Sequence, residues 1–228
     1  MNQAFKKVSL LAVTATAAAA VAVLLTSCAT VQTPAAAPTP QQVAEATQQV
    51  LKSSFRDQGD AKLDRLTQDA SNQACSDAAG ASIDEKLAKA IEATNLQTVK
   101  FPANGQLIGN WAEGEKIAQN GRGMTWSDKA GEANGGSCYN CHQISKAELS
   151  YGSIGPSLYN YGKLRGVTDP TALESKPIVD YTWGKLWNAK AYNACSGMPR
   201  FGHTGILTEN QLRDVMALLL DPKSPVNQ

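Results

Sequence analysis

Apolar residues along this chain recur at spacings of three and four, and no stretch of any length alternates apolar with polar. Such spacing stacks side chains on one side of a helix, whereas alternation would mark a strand. The pattern therefore predicts an all-α protein. From Gln42 onward, Val43, Val50 and Leu51 lie near one face. Leu63, Leu66 and Ala70 make a second short stripe, and Ile83, Leu87 and Ile91 make a third. Ser82 with Glu85 offers a capping box for the third helix. These stripes read as packing faces, and residues 42–104 as an α-helical extension poor in apolar content. A second unit, 105–228, opens with Asn110 as cap of a helix from Trp111 to Gln119. Gly131–Ser137 and Tyr151–Gly162 read as loops. Asp169-Pro170 has the form of another helix start, and Ile178 to Lys190 continues in helical period with Tyr181, Trp183 and Trp187. The last helix is the clearest, with Thr208 and Gln211 as a capping box and Leu212, Val215, Met216 and Leu219 as its apolar face. Asp221-Pro222 ends it. There is no internal repeat.

The first 41 residues change the picture of where the protein works. Lys6 and Lys7 precede an uncharged run from Val8 to Leu25, the form of an export signal. Eighteen mostly small residues would only just span a bilayer, so a retained helix is the weaker reading. The run closes on Leu25-Thr26-Ser27-Cys28, which resembles a bacterial lipoprotein cleavage box. On that reading residues 1–28 are the signal, Cys28 carries lipid, and the Pro/Ala-rich residues 29–41 are an extended tether. The alternative is ordinary cleavage nearby, with Cys28 discarded. The expected location is the periplasm, with the membrane reached only through the lipid. Loss of Lys6 and Lys7 takes the formal charge from +1 to −1 and leaves no basic cluster. Nucleic acid, whose phosphates need clustered positive charge, is therefore not an expected partner.

The cysteines bring in chemistry. Cys138-Tyr139-Asn140-Cys141-His142 has the C-x-x-C-H form of covalent haem attachment, and it occurs once. Cys138 and Cys141 would add to the two vinyl groups of one haem c, and His142 would be the proximal iron ligand. A redox dithiol or half of a zinc site are the alternatives. Gly155-Pro156-Ser157-Leu158 follows by about a dozen residues. In c-type cytochromes such a segment gives a proline carbonyl to the histidine's second nitrogen and a leucine to the haem edge, roles that fall here to Pro156 and Leu158. The simpler reading is a loop proline. A methionine in the sixth position would complete an electron carrier, whereas an open position would bind small ligands. Met198, 56 residues after His142 and just ahead of the last helix, has the usual placement. Met124 and His203 are alternatives, and Met216 reads as core. The expected architecture is a class I-like cytochrome c domain with an α-helical N-terminal extension, the 111–119 helix packed on the 208–220 helix. Cys75 and Cys195 remain as a pair. In an oxidising compartment they favour a disulfide, which would stabilise the fold by roughly 3–5 kcal/mol. Two free thiols or a link to another subunit are the alternatives.

Four runs together resemble one family. They are N-W-x-x-G-E-x-I-A from Asn110, G-G-S-C-Y-N-C-H from Gly135, G-S-I-G-P-S-L-Y-N-Y-G from Gly152 and C-S-G-M-P-R-F-G from Cys195. They resemble SoxX, the monohaem cytochrome subunit of the SoxAX complex of bacterial thiosulfate oxidation, across Asn110 to Asp221. The resemblance implies an electron-transfer subunit paired with a SoxA-type cytochrome. That complex, an L-cysteine S-thiosulfotransferase, oxidatively conjugates thiosulfate to a cysteine of the SoxYZ carrier. The catalytic haem lies on the SoxA partner, so no catalytic residue is expected here. The His142/Met198 haem would pass electrons to a soluble cytochrome c. Residues before 100 and the cleavage box depart from the shortest family members and have no family role. Two other readings compete: an independent membrane-tethered cytochrome c, and a haem-based ligand sensor with an open sixth site. Cys195, three residues before Met198, reads as a brace of that loop through Cys75 rather than as a persulfide site.

Overall fold

The structure, a computed structural model, describes residues 37–129 and 131–228. The export-signal residues, Cys28 and most of the tether lie outside the described residues. The described chain is all-α, with six α-helices and no strand among the described residues. They are α1 (Pro40–Ser54), α2 (Ala70–Asp77), α3 (Glu85–Leu96), α4 (Trp111–Gln119), α5 (Lys176–Trp187) and α6 (Glu209–Leu220), with short 3-10 turns between them. None of these helices is long and apolar enough to cross a membrane. The chain divides into two compact units, residues 1–51 and 52–228.

In the first unit the described residues are chiefly those of α1, which buries none of its side chains. Val43 and Val50 of the first stripe are exposed, and Leu51 is half-buried. Leu63 and Leu66 are likewise exposed.

The second unit is centred on α4 lying against α6. Asn110 caps α4 by accepting from the Ala112 N–H. The close approach falls at Gly114, where an added Cβ would stand 2.1 Å from the Asp214 carbonyl oxygen and 3.0 Å from Leu218 Cβ. Ala118, one turn on, is completely buried. The Thr208–Gln211 capping box forms in full. Beyond it, Leu212, Val215 and every residue from Met216 to Leu220 are buried, more than one apolar stripe would cover. The second face is taken by α5 and by the C-terminal 3-10 turn Pro225–Asn227. The Tyr-rich run docks on that turn: Asn160 N–H donates to the Val226 carbonyl at 2.7 Å, and Asn227 Oδ1 accepts from the N–H groups of Gly162 and Lys163. At the centre of α5, Trp183 is fully buried, stacks between Phe101 and Trp187, and donates its indole N–H to the Lys100 carbonyl at 2.8 Å.

Two expected helix starts differ. The Ser82–Glu85 box does not form. Asp84 caps α3 instead, its carboxylate accepting from the N–H groups of Lys86 and Leu87. A carboxylate adjoining the first turn meets both the orphan donors and the positive end of the helix dipole. At Asp169-Pro170 no α-helix begins. The Asp169 carboxylate folds back onto the Thr171 N–H and hydroxyl, an Asx-type turn that competes with helix. The helix starts instead at Lys176-Pro177. Along α3, Ile91 is buried while Leu87 is exposed, so only part of that stripe packs.

Residues 70–98 dock on the segment that follows α5. Asn188, fully buried, donates its amide to Asn95 Oδ1 at 3.0 Å and to Thr98 Oγ1 at 2.9 Å. Asn95 in turn donates to Ser71, and the Ala194 N–H donates to the Glu92 carboxylate at 3.1 Å.

Candidate functional site

Cys138 opens a single 3-10 turn, Cys138–Asn140, entered through Ser137 in the left-handed region at φ +49°. The N–H groups of Cys141 and His142 both point back to the Cys138 carbonyl. The turn is laced to the segment after it. Gly152, Gly155 and Leu158 donate their N–H groups to the carbonyls of Tyr139, Cys141 and Gln143 at 2.7–2.8 Å. Ser157 adds a hydroxyl bond to the Gln143 side chain. One loop thus holds His142 while the other supplies its neighbours.

His142 Nδ1 lies 2.7 Å from the Pro156 carbonyl oxygen. A carbonyl only accepts, so Nδ1 carries a proton, and in the neutral ring Nε2 then keeps a free lone pair. Gly155 lies flat against the ring: a Cβ there would stand 2.1 Å from Cε1 and 2.4 Å from Nδ1. No side chain fits between this backbone and the imidazole. The ring is therefore fixed in rotation and tautomer before any ligand arrives.

Cys138 and Cys141 are unbonded to each other. Burial pushes the Cys138 thiol up to about 12, with Cys141 and Glu115 adding to the rise. A redox dithiol of the C-x-x-C kind works through a lowered thiol pKa, the opposite of what is found. No three His, Cys, Asp or Glu side chains among the described residues converge as a metal site, so half of a zinc centre finds no other half. Tyr139 is buried and donates its hydroxyl to Glu115 on α4 at 2.9 Å. Burial, reinforced by that carboxylate, pushes the phenol up to about 12.

The methionines separate clearly. Met216 is wholly inside the core. Met124 has a positive φ of +67°, and its sulfur faces the Arg65 guanidinium at 3.7 Å, with its carbonyl also bound by Arg65. Met198 is half-buried, packs on the same core cluster as Cys138 and Leu158, and has no polar group on its sulfur among the described residues. His203 is exposed and joins the fold through its backbone N–H, donated to the Trp187 carbonyl.

The Met198 loop is tied at two points to α2. Cys75 and Cys195 form a disulfide that closes a separation of 120 residues. Asp69 caps α2 through the Asn72 N–H and also binds Arg200 at 2.6 Å. Met198 lies between these ties in sequence. Behind the loop Phe201 is buried, and Gly202 rests on Trp187, where a Cβ would meet the ring at 2.5 Å. The Trp187 indole N–H is buried without an acceptor among the described residues. Such a donor costs roughly 1–3 kcal/mol when left unpaired. The contributions of Asp69 and Trp187 had no signal in the sequence, since each acts through contacts with another part of the chain.

No protein-family model matches this chain. A relative does. It is a protein of Aquifex aeolicus (strain VF5) described as an uncharacterized lipoprotein, 35% identical over 132 residues, 58% of this chain and 59% of the relative. The chain spans about three-fifths of the length of the curated relative it matches.

Proposed function

We propose that this chain is a monohaem c-type cytochrome acting as the electron-transfer subunit of a SoxAX-type complex. The observation that carries the reading is His142, with Nδ1–H given to Pro156 and Nε2 left as a lone pair. Cys138 and Cys141 would hold one haem c by thioethers, His142 and Met198 would be its axial ligands, and Leu158 would pack on its edge. When bound, the haem supplies a one-electron couple, raised in potential by a thioether ligand. The chain's own part is to fix the imidazole through Pro156 and Gly155. It also holds a methionine on a braced loop, and burial keeps the Cys138 thiol protonated until it is used.

The four sequence runs support the assignment to thiosulfate conjugation, with a SoxA-type subunit as stable partner. The SoxYZ carrier and a soluble cytochrome c would be transient partners. The Leu25–Cys28 box, together with likeness to a protein described as a lipoprotein, supports a lipid on Cys28 and a place in the cell envelope. The finer assignment is the periplasm. One observation favours the second reading, an independent tethered cytochrome. Asn95, Thr98 and Glu92 bond to Asn188 and Ala194 of the same chain, so the 70–98 segment is seated on its own chain rather than held out for a partner.

Intact mass of the mature chain, made in a host with haem-attachment machinery, tests the cofactor. One haem and one lipid are expected, and an unmodified mass would sink the cytochrome reading. Capture of the tagged chain from thiosulfate-grown cells separates the two readings. A second cytochrome subunit in stoichiometric amount is expected, and recovery of the chain alone would leave the independent carrier.

A further inference from the structure

We propose that the Cys75–Cys195 disulfide is a thiol-exchange site: an external thiolate attacks Cys195, and Cys75 leaves beside Lys190. Two asymmetries support the direction. Cys195 is exposed, whereas Cys75 is half-buried, so an incoming sulfur reaches the former. Lys190, in the 3-10 turn after α5, is 4% exposed, and its ammonium lies 3.9 Å from Cys75 Sγ. Lysine is almost never buried so deeply without an anionic partner. Here the ammonium donates to the Ala194 carbonyl at 2.9 Å, and no carboxylate among the described residues lies within ion-pair distance. Asp69, the nearby acid, is already held by Arg200. Burial and the Arg200 charge both lower the lysine's pKa, with Asp69 opposing them. The cation is thus under-compensated while the disulfide is closed. It gains an anion when Cys75 departs as a thiolate.

The exchange is balanced. The incoming thiolate forms a new S–S bond to Cys195 as the Cys75–Cys195 bond breaks, and Cys75 takes the electron pair. No net oxidation occurs in that step. With a dithiol as the incoming class, its second thiolate attacks the mixed disulfide. Cys195 is then released, the dithiol is oxidised by two electrons, and solvent protons convert both cysteines to thiols. Exchange is faster when the leaving thiol has a lower pKa, which is the service the Lys190 charge performs. Opening the bridge leaves Asp69–Arg200 as the remaining tie between α2 and the Met198 loop. The exchange itself does not rest on the haem reading.

The test uses the full chain with its free thiols blocked beforehand. Brief exposure to reduced glutathione at native pH, acid quenching and peptide mapping should place the adduct on Cys195. An adduct on Cys75, equal labelling, or no adduct short of unfolding would overturn the proposal. Reduction by dithiothreitol should be about tenfold slower in Lys190→Met and near the parent rate in Lys190→Arg. An unchanged rate in a folded Lys190→Met chain would overturn it as well. Where Lys190→Met does not fold, as seen by circular dichroism, the adduct position in the parent chain decides.

Discussion

At the scale of single residues, the site depends on a backbone pressed against a ring. Gly155→Ala puts a methyl where Cε1 of His142 stands. Either the imidazole turns, breaking its bond to Pro156, or the 152–158 segment lifts. We expect a loss of about 1–3 kcal/mol, the usual cost of overpacking, read from the denaturant midpoint. Under the proposed function the haem content per chain also falls, read by absorbance. Under the same proposal, the sixth iron ligand is tested at the methionine sulfurs. Met198→Ala should abolish a weak near-infrared band of the oxidised protein, and Met124→Ala should leave it intact, because the Met124 sulfur faces Arg65. A band that survives Met198→Ala would move the role to another side chain. The contact of His142 with the Pro156 carbonyl was legible because the C-x-x-C-H run and the proline after it stand at short spacing. Gly155 was visible as part of the Gly155–Leu158 segment, but its close approach to the ring was not, since that constraint comes from a residue thirteen positions away. Arg200 had no visible partner at all, because Asp69 is one ordinary acid among twenty acidic residues and is joined to it only by folding.

At the scale of elements, the caps decide where helices begin, and they were legible where one candidate stood at the boundary. Asn110 and Thr208 were such cases, and both cap as expected. At α3 the sequence pattern pointed to Ser82, and Asp84 caps instead. Ser82 made a better motif with Glu85, but Asp84 stood nearer the first turn. We therefore expect Asp84→Ala to cost about 1 kcal/mol, as cap removals do. Ser82→Ala should change the unfolding midpoint by no more than ordinary surface substitutions, within about 0.5 kcal/mol. Equal effects of the two would restore the capping box. The α3 stripe, where Ile91 is buried and Leu87 exposed, has the same lesson in packing terms. Helical period shows that one side is more apolar, but burial depends on whether another element arrives to cover it. The crossing of α4 and α6 rests on the absence of a side chain at Gly114. Gly114→Val should separate these helices and destabilise the second unit more than Gly155→Ala destabilises the loop, because the obstruction is backbone on a core helix.

At the scale of the whole molecule, chain segments far apart in sequence converge on the loop that carries Met198. The disulfide acts mainly on the unfolded chain, by closing a separation of 120 residues, and its removal in Cys75→Ser/Cys195→Ser should cost roughly 3–5 kcal/mol. The Asp69–Arg200 pair acts on the folded chain and can be isolated by pH. Burial pushes the Asp69 carboxyl up, but the Asn72 N–H and the bond and charge of Arg200 outweigh it, leaving the group below its ordinary 3.8. A carboxyl depressed on folding contributes stability above its unfolded value and loses it as pH falls through the folded one. Asp69→Asn is the informative change, because asparagine caps a helix as well as aspartate does. The variant keeps α2 and loses the charge. The Asp69 side chain is 42% exposed, so solvent screening holds the difference within about 1 kcal/mol. The gap in unfolding midpoint between parent and Asp69→Asn should be widest near neutral pH and close below 3.8. Added salt should narrow it as well. The same substitution made without the disulfide should cost more than it does alone, since one tie then no longer holds the loop for the other. Strict additivity of the two losses would show that the ties act on separate parts of the chain and do not jointly position Met198.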